Sequence, residues 1–182
     1  MLPPNQSRVD DLIRLDLGYI PDININDFKL EIRGDIKNEL DLTYEEFIKL
    51  GLDIVIDDFH CVTGWSKLNA KWEGVLASKI VEAAKPVASA KYIFIYSYDG
   101  YSTNTTLKDF SSKNSIFAIK YMDNILEKEN GYPVRLVISS KYAYKSAKWV
   151  RKIIFRSTEE LGYWEKRGYS NNADPFKEER YS

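Results

Sequence analysis

The only cysteine of this 182-residue chain directly follows its only histidine, in His60-Cys61-Val62-Thr63-Gly64-Trp65-Ser66. A cysteine can act as a thiolate nucleophile, as a soft metal ligand or as a small buried apolar group. Adjacency counts against a nucleophile paired with His60. Such a pair needs converging side chains, whereas consecutive side chains on extended chain point to opposite faces. Structural zinc is excluded on ligand count, because its usual shells need more Cys and His than this chain has. A metal site built on Cys61 must therefore draw its other donors from carboxylates, solvent or an organic cofactor. On composition alone, the buried apolar group is the favoured reading.

A second group of residues is cationic: Arg135, then Lys141-Tyr142-Ala143-Tyr144-Lys145-Ser146-Ala147-Lys148-Trp149. Lys145, Ser146 and Lys148 lie close together with backbone amides between them, a combination that holds phosphate through charge-assisted bonds and N–H donors. A solvated charge run before a strand has the same pattern, and taken alone the cluster reads that way. It lacks the glycine spacing of a P-loop or a dinucleotide-binding turn.

The elements that must position these residues are mostly strands. Phe28–Arg33 alternates apolar and polar side chains and closes at Gly34-Asp35. Thr43-Tyr44-Glu45-Glu46 is a capping box opening a short helix that stops at Gly51. Ile54–Ile56 is a strand leading into Phe59–Val62. Trp72–Val75 is read as the entrance to a helix over roughly Leu76 to Ala84, ended by Pro86. Lys91–Ser97 is the strongest strand, followed by an Asp99-Gly100 turn, and Thr106–Asp109 is a further cap. Ile116–Met122, Val134–Ile138 and Trp149–Phe155 are strands, with turn residues Asn130, Gly131 and Pro133 between the first two. Strands outnumber helices and do not alternate with them, so the expected class is α+β. The expected organisation is an extended N-terminal segment, 1–27, packed on one domain, 28–182. The aromatics Tyr163, Trp164, Tyr169 and Phe176 predict that the C-terminal tail packs on that domain.

Hydrophobic residues make up 44% and charged residues 29%, enough apolar content for a core. The net charge of -1 gives no basic footprint for nucleic acid. No apolar run approaches a membrane span. The opening Met1-Leu2-Pro3-Pro4-Asn5-Gln6-Ser7 lacks the basic and apolar regions of a secretory signal, and the chain shows no twin-arginine signal, so a cytoplasmic location is expected.

Segments spread along the chain resemble the molybdopterin-binding catalytic domain of the sulfite oxidase family. The resemblance is greatest to small prokaryotic members related to the catalytic subunit of bacterial methionine sulfoxide reductase. The segments are His60–Ser66 with Trp72–Val75, then Ser97–Tyr101, Asn130–Leu136, Lys141–Trp149 and Gly162–Pro175. Each is weak alone, but they stand in the family's order and cover most of the chain from about Phe28. The resemblance implies a single-domain sulfite oxidase-type fold of mixed β-sheets with short helices. It implies that Cys61 is the catalytic metal ligand. The remaining sulfurs then come from molybdopterin, carrying molybdenum or tungsten, which resolves the ligand shortage. It implies cofactor contacts at Ser97, Asn130, Arg135, Lys145, Ser146, Ala147 and Lys148, with Arg135, Ser146, Ala147 and Lys148 gripping the pterin and its phosphate. Ser97 stands where some members carry Thr. His60 replaces an Arg of the methionine sulfoxide reductase branch; it is read either as a cofactor contact or as a satisfied structural histidine. Lys145 is read as a phosphate contact or a flank. Arg14–Pro21 falls where the family has another pterin-contacting loop.

The chain also departs from the family. It is too short for the C-terminal immunoglobulin-like dimerisation domain of animal and plant sulfite oxidases, and it has no haem-attachment motif. Cys-Val-Thr-Gly-Trp-Ser replaces the animal-type Cys-Ala-Gly-Asn-Arg-Arg, removing the sulfite-binding arginines near Cys61. The expected activity is two-electron oxygen-atom transfer on a small S-oxide, N-oxide or oxyanion, with a separate electron-transfer partner. The alternatives are a non-catalytic module that stores or delivers molybdopterin and, more remotely, a hydrolase with a Cys61 nucleophile.

Overall fold

Alternation along two neighbouring strands sorts the interior into two apolar clusters. In the computed structural model, which describes residues 2–182, a short strand β1 (Ser7–Val9) precedes β2 (Lys29–Gly34) and β3 (Leu40–Thr43). Thr43 caps helix α1 (Tyr44–Ile48) through the expected box: its Oγ1 accepts from Glu46 N, and Glu46 Oε2 accepts from Thr43 N at 2.9 Å. Then come β4 (Asp53–His60), β5 (Trp65–Leu76), helix α2 (Ala77–Ala84), β6 (Tyr92–Ser97) and β7 (Ser102–Thr106). Helix α3 (Leu107–Phe110), β8 (Ser115–Tyr121), β9 (Asn124–Ile125), β10 (Arg135–Ile138) and β11 (Val150–Arg156) complete the regular elements.

The strands form two mixed sheets, so the class is α+β as expected. One has the order β1-β5-β8-β10, with β4 on the other edge of β5 and β9 beside β8. The second has the order β3-β2-β11-β6-β7. Most pairings are antiparallel; β1 with β5 and β11 with β2 are parallel. The main core lies between the sheets. Phe117 and Ile119 of β8 and Leu136 and Ile138 of β10 point into it, against Leu30, Ile32 and the helices' Phe47 and Ile80. The opposite face of the same strands carries Ile116, Ala118 and Val137 into a second cluster with Phe59, Cys61 and Trp72. A period of two thus places Arg135, next to Leu136, on the Cys61 side of the sheet.

Strand β5 corrects the sequence reading, which had Trp72–Val75 entering a helix. The segment is the end of a twelve-residue strand. Its alternation is genuine (Leu68, Ala70, Trp72 and Gly74 against Lys67, Asn69, Lys71 and Glu73) but is carried by residues depleted in strands. It survives because both edges are paired and its irregular positions do specific work. Asn69 takes a left-handed φ of 51° at a bulge in β5, where Leu68 and Asn69 stand opposite the single Asp58 of β4. Gly74 lets β8 approach so closely that an added Cβ would lie 2.0 Å from Phe117 O. The helix begins only at Ala77. Strand β7 was also absent from that reading, since a Ser/Thr/Asn run resembles loop. Among the described residues no helix is long and apolar enough to cross a membrane.

Candidate functional site

Four residues, 61–64, join β4 to β5. Cys61 N donates to Trp65 O at 2.8 Å and Gly64 N donates to Cys61 O at 3.1 Å, closing a tight turn whose left-handed position, φ 99°, is Gly64. This geometry separates His60 from Cys61. The Cys61 side chain joins Phe59 and Trp65 in the second cluster and lines a cavity of about 350 Å³. Its Sγ lies 3.1 Å from Thr63 Oγ1. Burial pushes the thiol's pKa up; the bond from Thr63 and the charge of Arg180 oppose that rise.

Two cations without a carboxylate partner line the same cavity; a third, Arg14, pairs with Glu127. Arg135, 5% exposed, lies 5.4 Å from the Phe59 ring centroid and 5.2 Å from that of Trp72. Its guanidinium donates only to backbone, to Asn130 O at 3.1 Å and Ser146 O at 3.3 Å. Burial lowers its pKa to about 10, which leaves it charged at neutral pH. Lys148 donates to Glu129 O at 2.8 Å and sits over the Trp149 ring at 4.3 Å. Neither cation forms an ion pair among the described residues. Gly131 fits between them: a Cβ there would lie 2.8 Å from Arg135 Cβ and 3.2 Å from Lys148 Cβ.

Of the residues singled out in the sequence, Cys61, Asn130, Arg135, Ser146, Ala147 and Lys148 line this one cavity. The loop 146–149 is held beside β10 by Leu136 N to Ala147 O at 2.8 Å and by Ile138 N to Ser146 Oγ at 2.9 Å. Three others do not reach it. His60, 2% exposed, shares a 2.7 Å hydrogen bond with Ser66 Oγ, lies edge-on to Phe176 and has the surroundings of a satisfied structural histidine. Lys145 is turned into the domain, where its ammonium donates to Glu165 at 2.5 Å and Asn104 at 2.8 Å; its donors are taken up there and not by the cavity. Ser97 is buried with an unpartnered hydroxyl, and its turn instead brings Asp99 and Tyr101 to the cavity wall. Residues 14–17 of the Arg14–Pro21 stretch line the cavity together with Leu12 and Ile13, whereas the sequence reading gives no individual place there to the wall residues Tyr144, Trp164 and Tyr169. Their aromatic density was the only available signal.

Residues 17–164 match the family model described as the oxidoreductase molybdopterin binding domain. The chain belongs to this family. The molybdopterin domain is 33% identical over its whole length to an uncharacterized oxidoreductase, YuiH, of Bacillus subtilis (strain 168), spanning 92% of that protein. It is 27% identical, over 84% of its length, to the protein-methionine-sulfoxide reductase catalytic subunit MsrP of Campylobacter jejuni, but spans only 58% of it. Its fold matches the sulfane dehydrogenase SoxCD of Paracoccus pantotrophus with a TM-score of 0.72 at 17% identity, covering 82% of this chain and 42% of that one. Together these place it with the sulfite oxidase-type molybdopterin oxidoreductases related to MsrP.

The cavity residues fit such a cofactor. Arg135 Nε and Trp65 Nε1 are buried donors without acceptors, and two cations lack carboxylate partners, as an anionic, acceptor-rich guest requires. The volume is that of a small-molecule site. Among the described residues no cluster of three or more His, Cys, Asp or Glu side chains could hold a metal, so the soft donors beyond Cys61 would be the cofactor's.

Lys148 makes this domain's stability depend on pH. Desolvation, with Arg135 adding to it, lowers its pKa to about 8 against the pull of Asp16, Asp99 and Glu129. Between about pH 8 and the ordinary lysine value, the unfolded chain therefore binds more protons than the folded one. The Lys148 contribution to stability rises with pH across that window. A bound phosphate would restore the charge and flatten the rise. Thermal melts of cofactor-free wild type and Lys148→Met from pH 7 to 9.5 check this. The wild type is expected to gain on the variant as pH increases, and phosphate-bearing cofactor is expected to remove the difference in slope.

Proposed function

We propose that this chain is the catalytic unit of an oxidoreductase. It transfers an oxygen atom, with two electrons, to or from a small S-oxide, N-oxide or oxyanion, and Cys61 is the single protein ligand to molybdenum or tungsten. The observation that carries this reading is that the chain's only thiol faces the same cavity as two cations without carboxylate partners. When bound, the metal–pterin group supplies the two-electron redox chemistry and the additional sulfur donors.

The chain's own residues supply orientation and electrostatics. Arg135 and Lys148 neutralise the pterin's anionic end, with Ser146, Ala147 and Asn130 beside them. The walls of Tyr101, Tyr144 and Trp164 keep water from these charges and so strengthen their pull. The Thr63 hydroxyl donates to the Cys61 thiolate, whose burial is compensated once a metal takes up its charge. Two of the similar proteins are named for redox chemistry at sulfur, which makes a small sulfoxide the first substrate to try. A separate electron-transfer partner belongs to the same proposal, because one Cys and one His are too few to ligate a second redox centre of the haem or iron–sulfur kind with the usual pair or quartet of ligands.

Protein made in a host that produces the cofactor is expected to contain about one molybdenum or tungsten per chain and to release a fluorescent pterin on oxidation. With a reduced dye it is expected to turn over a small sulfoxide. Arg135→Met is expected to lower the retained pterin by about tenfold or more, through loss of the charge-assisted bonds. Absence of metal in such protein overturns the proposal, and full metal loading without turnover would instead favour a storage or delivery module.

A further inference from the structure

The turn that carries Cys61 is held from outside its own hairpin, by both ends of the chain. Cys61 O accepts from Gln6 Nε2 at 3.0 Å, Gly64 O accepts from Ser7 N at 2.8 Å, and Val62 O accepts from the Arg180 guanidinium. The two ends are also joined to each other. Asn5 Nδ2 donates to Glu178 Oε1 at 2.5 Å, the same oxygen lies 3.3 Å from Arg180 Nε, and Arg180 Nη2 reaches Asn5 O at 3.4 Å. Behind the turn, Ser66 Oγ donates to Gln6 Oε1 at 3.1 Å, which ties Gln6 to β5 as well. Arg180 is steadied over the Tyr142 ring at 5.4 Å.

Backbone conformation marks the same place. Asn5 and Glu178, the two residues that join the ends, have φ of 54° and 56°. Asparagine visits the left-handed region readily, but for a glutamate such as Glu178 it is disfavoured and persists where its surroundings over-determine it. Hairpin tips otherwise fray easily, since few contacts hold them. A metal ligand, by contrast, needs its direction fixed to within a fraction of an ångström by the groups that support it.

We infer that residues 5–7 and 178–180 form a clasp that aims the Cys61 thiolate into the cavity, with Arg180 as its positioning residue. This rests on the reading of Cys61 as the metal ligand. Arg180 suits the role because its planar fork reaches the carbonyls of Val62 and Asn5 from two separate nitrogens, whereas a lysine would have to serve both from one.

The test compares Arg180→Met, Arg180→Lys and Gln6→Leu with Lys177→Met, an exposed lysine of the same tail, all in cofactor-loaded protein. Two quantities are read: hydrogen exchange of the amides of 61–64, and the optical and electron paramagnetic resonance spectra of the metal. Arg180→Met and Gln6→Leu are expected to exchange the Gly64 amide at least about tenfold faster and to shift the metal spectrum, leaving exchange in β8 and β10 unchanged. Arg180→Lys is expected to fall between, and Lys177→Met to match wild type. Faster exchange with an unaltered spectrum overturns the positioning role, and no change in either overturns the clasp. Should Arg180→Met fail to fold, Gln6→Leu, which keeps the arginine, decides the matter by the same two readouts. A Cys61→Ser protein that keeps the wild-type metal spectrum would overturn the ligand reading itself, while the exchange data would still report whether the ends hold the turn.

Discussion

Cys61→Ser is expected to leave a folded protein that has lost about a hundredfold or more of its turnover, because outer-shell changes alone cost about 10–100-fold at metal sites. The fold should tolerate the change. Serine is close in size, and Thr63 Oγ1, 3.1 Å from the sulfur, remains available as a hydrogen-bond partner. The metal site should not. A hydroxyl is far harder to deprotonate than a thiol and offers a hard donor in place of a polarisable sulfur. Elemental analysis is expected to show reduced metal, and any retained metal is expected to lose its sulfur-derived absorption. Thermal melting is expected to stay within a few degrees of wild type, in keeping with a change of about 1 kcal/mol. Wild-type turnover in the variant would show that the sulfur has no part in the chemistry.

The largest stability effect is expected from Lys145, which the cavity does not use. Its side chain and that of Glu165 are 1% and 0% exposed and 2.5 Å apart. Thr103 Oγ1 donates to the same carboxylate oxygen at 2.7 Å, and Asn104 accepts from the ammonium. Burial lowers the lysine's pKa and Glu165 pulls it back up. Lys145→Met leaves a buried carboxylate without a counter-charge and is expected to cost about 3–5 kcal/mol, on the order of 10 °C in melting temperature for a chain of this size. Lys145→Met combined with Glu165→Leu is expected to recover much of that loss, because the expensive species is the unpaired charge and not the missing pair. Urea unfolding of the two variants decides the point. A double variant no more stable than the single one would mean that the pair itself, and not charge compensation, stabilises this region.

Lys145 and Lys148 also show how far residue types can be read without a fold. They are three positions apart in one basic run, and the resemblance places Lys148 at the phosphate and Lys145 either there or as a flank. One points into the domain and the other lines the cavity, and the difference lies in a short 3₁₀ turn, Ala143–Lys145, and in Glu165 twenty residues later. Nothing local to the run reports a partner so far along the chain. Strand β5 shows the opposite case. Its alternation was present in the sequence but was outweighed by its Lys, Asn, Glu and Gly content, which local propensity disfavours and pairing on two edges overrides.

By itself the sequence determined the class, most strands, the capping box of α1, and the thiol and cations on which the chemistry would depend. These are properties of residue type and of periods two and 3.6, which act over a few neighbouring residues. Tertiary structure alone decided which polar groups share a space. It turned Arg135 toward Cys61, drew residues 12–17 over the cavity, buried Lys145 elsewhere and brought both chain ends to the turn at Cys61–Gly64. Such meetings depend on sheet register and on closing long loops, where single contacts between residues far apart in the chain set the outcome and leave no mark on the residues in between.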